Sequence, residues 1–132
     1  MAVHEGDLAG AQRAIEEAVR IAVETHQPWG QSIALRVQSE IWLSSMPPQL
    51  DAAEAAARAA IDIQVARECR CDLAWSRLLL GRVLQAKGNS AAALEELAQA
   101  RREFEQLSIA RGIENVSAAL EIAGESAHAE EA

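Results

Sequence analysis

The chain of 132 residues has no tyrosine, one phenylalanine and three tryptophans. Strands draw on aromatic and β-branched residues in alternating runs; no such run is present, so the class is all-α. Nor is there an apolar stretch long enough to span a bilayer. The opening MAVHEGDLAG lacks the charged start and apolar centre of a signal peptide, so the expected location is cytoplasmic. Basic residues are scarce, 12 Lys and Arg against 20 Asp and Glu, giving a formal charge of −8 and a pI near 4.8. That balance disfavours nucleic acid and anionic membrane surfaces as partners, since both reward clustered Lys and Arg. The two cysteines, Cys69 and Cys71, are spaced too tightly for an ordinary structural disulfide and fit a reducing compartment.

Catalytic patterns are missing as well. The sequence has no Gly-rich phosphate loop, no HExxH and no defensible Ser, His and Asp arrangement. His4, His26 and His128 lie in a terminus, a turn and a tail, which argues against a shared metal site. Neither a cofactor nor an enzymatic activity is expected. The alternative is a small redox or metal protein using Cys69 and Cys71, because the Arg70 charge between them would lower a thiol pKa. Against it, cysteine at a helix boundary is ordinarily a small packing residue.

What the chain does have is hydrophobic content of 50%, mostly Ala, Leu, Ile and Val, enough for one domain's core. In the stretch from Asp72 to Leu107, Leu73, Trp75, Leu78, Leu79, Leu80, Val83 and Leu84 recur at helical spacing. Gly88-Asn89-Ser90 then supplies a stop and a capping start. Ala93, Leu94, Leu97, Ala100, Phe104 and Leu107 mark a second helix, which so short a connection sets antiparallel to the first.

Small residues fall where these two helices would approach closely. Leu80-Gly81, Leu84 and Gly88-Asn89, then Ala93, Leu97 and Ala100, resemble the pattern of a tetratricopeptide repeat. Arg77 stands where that family often has Trp, and Glu105 where it often has the helix-ending Pro, so the unit is expected to exceed the family's roughly 34 residues. The Ala, large, Ala pattern recurs as Ala11, Ile15, Ala18, then Ala53, Ala57, Ala60, then Ala93, Leu97, Ala100, in steps of 42 (11 to 53) and 40 (53 to 93). The resemblance implies antiparallel hairpins stacked in a short right-handed superhelix of about six helices.

Gly6-Asp7 reads as a turn inside a repeat, so the chain is expected to begin with the second helix of one. Its apolar members are Leu8, Ala11, Ile15, Ala18 and Ala22, with Arg13/Glu17 and Glu16/Arg20 as outward pairs. Expected helices cover about 8–25, 29–44, 49–68, 72–87, 90–107 and 109–123, within one repeat domain over 1–124. Gly124 is read as a stop, and 125–132 as a polar tail too poor in apolar surface to order itself. Pro28 suits the first turn of the second helix, and Ser39 stands opposite Gly81 in register. The layout also resembles the C-terminal repeat arrays of bacterial adenylate cyclase-like and ATPase-containing signalling proteins, although no cyclase or ATPase motif is present.

In tetratricopeptide arrays the first helix of each repeat lines a concave groove, and counting from Ser39 and Gly81 carries that role to particular positions here. They are Ile33, Arg36, Glu40 and Leu43 in one repeat, Trp75, Leu78, Arg82 and Gln85 in the next, and Asn115 in the last helix. Arginines beside an aromatic suit a protein or peptide partner with some acidic character. The expected function is therefore a scaffold that binds a partner's peptide or helix, as a module of a larger signalling protein. The alternative is architectural: Leu8, Ala11, Ile15, Ala18 and Ala22 form an uncovered stripe that would drive homodimerisation.

Overall fold

A computed structural model describes the backbone of residues 5–131 and the side chains of residues 9–126; the Leu8 and His128 side chains and all of His4 lie outside the described residues. Six helices and no strand are present among them: α1 Glu5–Glu24, α2 Pro28–Leu43, α3 Leu50–Ala66, α4 Arg70–Ala86, α5 Ser90–Gln106 and α6 Ala110–Glu131. The sequence-derived helices match these to within a few residues, apart from the two chain ends. Gly6 and Asp7, read as a turn, are helical in α1, and α6 runs through Gly124 to Glu131. Glycine within a helix costs about 1 kcal/mol without breaking it, and the Ala and Glu beyond it are strong helix formers.

Three helix ends share one turn, built from two backbone hydrogen bonds around a residue of positive φ. At Gly88 (φ +84°) the amide donates to Gln85 O, and the next amide, of Asn89, reaches Leu84 O. His26 (φ 53°) and Ser108 (φ 57°) repeat the geometry, with Gln27 bonding Ala22 O and Ile109 bonding Phe104 O. These are Schellman motifs, which use up carbonyls that a helix end would otherwise orphan. The following residue then opens the next helix, Asn89 also accepting from the Ala92 amide at 3.4 Å. Gln27, Cys69 and Ile109 open α2, α4 and α6. They are 42 (27 to 69) and 40 (69 to 109) residues apart, the steps already seen in the alanine triplets. The fold is thus an all-α, repeat-like succession of helical hairpins.

The chain divides into two compact units, Met1–Arg67 and Glu68–Ala132. In the first, α2 packs on α1 and α3; in the second, α4, α5 and α6 pack on one another.

In the second unit Ala74, Leu78, Leu97, Ala100, Phe104, Val116 and Ala123 form the core, with Trp75 packed at its margin. Gly81 is needed at the crossing of α4 and α5, because a Cβ there would sit 2.5 Å from Leu97 Cδ2. Ser39 fills the equivalent place at the crossing of α2 and α3, where its hydroxyl donates to Ala53 O at 2.7 Å. It can be larger than glycine because the residue in register with Leu97 is Ala57. Gly112 makes a second close approach, with the Phe104 ring lying where its Cβ would be.

Arg77, in the family's Trp position, ties α4 to α5 by charge. Its Nη1 donates to Glu96 Oε2 at 3.3 Å, and its Nε lies 2.8 Å from Glu103 Oε1 as an ion pair. Burial pushes the Glu103 carboxyl above its ordinary value of 4.5 and the Glu96 charge adds to this, against the lowering pull of Arg77 and of a Gln99 hydrogen bond. Folding therefore tightens proton binding at Glu103. The stability this group contributes is fully present below its unfolded pKa and is lost as pH rises through the higher folded value. Glu103→Gln is expected to remove that loss. Its Tm relative to wild type should move in the variant's favour as pH climbs above 4.5, and a difference that stays flat in calorimetry would refute this.

On the outer faces, Arg58 pairs with Glu54 at 2.8 Å. Arg20 pairs with Glu17 and Glu24 instead of Glu16.

Candidate functional site

Within the second unit, α4 and α6 lie side by side with α5 beneath them, and a cavity of about 330 Å³ opens between them. Arg82, Gln85 and Ala86 of α4 form one wall, Asn115, Ala118, Ala119 and Ile122 of α6 the other, and Leu97 of α5 also lines it. The walls are helical on both sides, and the residues recur at three- and four-residue spacing, so one face of each helix is turned into the cleft. Most of the lining is apolar, and Ile122 is 58% exposed.

The polar groups are few. Gln85 Nε2 donates to Ser126 Oγ at 2.6 Å, strapping α4 to α6 at one end, while Gln85 Oε1 is buried without a hydrogen-bond partner. Arg82 is exposed and has no carboxylate partner among the described residues. An apolar cleft with a spare cation and an unfilled acceptor can bury a side chain while pairing a nearby anion.

Of the positions expected to line a groove, Arg82, Gln85 and Asn115 are brought together here. Trp75 and Leu78 are not. Leu78 is 2% exposed in the core, and Trp75 packs edge-on to Phe104 with ring centroids 4.7 Å apart. Both lean toward α5, whose phenylalanine supplies the larger apolar contact. Ile33 and Arg36 are half-buried and Glu40 exposed on α2 of the first unit, where they line no part of this cavity. Ala118 and Ile122 were missed, although one more 40-residue step from Leu78 and Arg82 reaches them. A second hollow, about 300 Å³ at the α2 to α3 connection between Ala9, Gln12, Trp42 and Met46, carries no charged side chain.

Cys69 is half-buried and Cys71 exposed, with neither in a disulfide. Among the described residues no group of three or more His, Cys, Asp or Glu is placed to hold a metal ion, and no helix is long and apolar enough to cross a membrane. No protein-family model, curated protein or solved structure matches this chain. The site must be read from its own residues.

Proposed function

We propose that the chain is a non-enzymatic binding module that takes a peptide or helix of a partner protein in the cleft between α4 and α6. The observation that carries this reading is the cleft itself, apolar along both walls and edged by Arg82, Gln85 and Asn115 at positions the repeat register assigns to a groove. Shape and burial supply the affinity, and the Arg82 guanidinium favours a segment with a carboxylate beside its apolar anchor. The tetratricopeptide resemblance and the likeness to bacterial repeat arrays support a place within a larger cytoplasmic signalling protein.

Panning a random 12-residue peptide library on the full chain tests this. Enriched peptides are expected to pair an apolar residue with Asp or Glu, and to bind at least tenfold more weakly to Ala118→Phe, which fills the cleft from an exposed position. The Tm of that variant should stay close to wild type. Peptides that bind Ala118→Phe as well as wild type would sink the proposal, as would a library that yields no enrichment.

A further inference from the structure

The cleft between α4 and α6 offers few hydrogen bonds to a peptide backbone. Besides Arg82, its polar lining is Gln85 and Asn115, and the Gln85 amide already donates to Ser126 Oγ at 2.6 Å. An extended segment buried there would bring an N–H and a C=O at every residue, most of them left without a partner. A helix arrives with those groups bonded within itself. The α6 wall is continuous helix from Asn115 to Ser126, about 16 Å or three turns, and Ala86, Ala118 and Ala119 are small enough for another backbone to come close.

Charge is placed unevenly along that length. Arg82 is the one cation among the described lining residues, and the Gln85–Ser126 hydrogen bond closes the cleft just beyond it, so the apolar surface extends from Arg82 chiefly toward Asn115. Arg111, a turn ahead of Asn115, is exposed and lines no part of the cleft, and the same holds for Glu121 and Glu125. A carboxylate on Arg82 therefore belongs to one end of a bound helix. In the first turn of that helix its charge is stabilised by the helix dipole, and in the last turn it is opposed. Short turns set α5 antiparallel to both α4 and α6, so those two run the same way, toward the Arg82 end. A first-turn carboxylate on Arg82 sets the bound helix against that direction.

Resting on the reading of the cleft as a peptide site, we infer that its occupant is a helix of the partner protein lying antiparallel to α4 and α6, with Asp or Glu of its first turn on Arg82. Its apolar anchor follows one turn later, over Leu97 and beside Ala118.

Two stapled Ala-based helices of one composition and about 15 residues test this. One carries two Asp in its first turn and a pair of Leu at i and i+4 one turn on; the other carries the same residues in reverse order, with Asp in the last turn. The acid-first peptide is expected to bind the full chain about fivefold more tightly, the staple holding both helical. That margin should vanish in Arg82→Gln, and Ala118→Phe should weaken both peptides at least tenfold. A spin label at the amino end of the acid-first peptide should broaden the Ser126 amide resonance more than that of Asn115. Equal affinities, a tighter acid-last peptide, a margin that survives Arg82→Gln, or broadening centred on Asn115 would overturn the inference. Failure of both helices while library-selected peptides bind would overturn it too, leaving the cleft as a site for an extended segment. If neither the helices nor the library peptides bind, the peptide site falls with it.

Discussion

Phe104→Ala is expected to lower the unfolding free energy by about 3–5 kcal/mol, the largest effect of any single truncation in this chain. Phe104 is the largest fully buried side chain among the described residues, at 0% exposure. Its ring joins all three helices of the second unit, meeting Trp75 of α4 edge-on and occupying the space that Gly112 of α6 leaves open. Deleting it forfeits the transfer energy of the ring and leaves a cavity that three helices cannot close without moving. Phe104→Leu keeps most of the volume and should lose only about 1–2 kcal/mol. Urea titration followed by far-UV circular dichroism measures both, and a Phe104→Ala loss below that of Phe104→Leu would show that the packing argument is wrong.

The second large effect is a coupling. Gly81→Ser alone should destabilise by about 1–3 kcal/mol, because the new side chain collides with Leu97, even though serine is the better helix former. The clash is direct: a Cβ on Gly81 falls 2.5 Å from Leu97 Cδ2 and 2.6 Å from Cγ. Leu97→Ala alone should cost about 2–5 kcal/mol through the void it opens. Together they reproduce the native combination of Ser39 with Ala57. The double variant is therefore expected to lose clearly less than the sum, with a coupling of about 0.5–3 kcal/mol. Strict additivity in a double-mutant cycle would mean that the two residues do not share the crossing.

The contrast between these sites explains what could be read from residues alone. The six helices were legible because local signals set them: apolar spacing, Pro28 at a first turn, and Gly88 followed by Asn89. Gly81 was legible because a small residue before Ala93 recurs as Ser39 before Ala53, once the two extra residues of the Met46-Pro47-Pro48 connection are allowed for. Gly112 carried no such signal. Its role depends on a phenylalanine ring arriving from another helix, which no local pattern announces. The groove was half legible for a related reason. Helical counting selects a face but does not say how far a neighbour reaches around it, and Phe104 draws Trp75 and Leu78 inward while leaving Arg82 and Gln85 at the cleft. The helical ends differ from the sequence expectation because a glycine ends a helix only where the chain also turns, and Gly6 and Gly124 lie inside α1 and α6.

One buried side chain sets the two halves apart. Gln64 is 0% exposed on α3, and neither amide atom has a hydrogen-bond partner. In register it is the counterpart of Phe104. Where the second unit places its most stabilising ring, the first places an amide whose desolvation is not recovered, among alanines that offer little volume. The first three helices are therefore expected to open at a lower free energy than the last three, which native-state hydrogen exchange would show as faster exchange in α2 and α3 than in α4 and α5. A sequence that repeats its geometry need not repeat its rigidity.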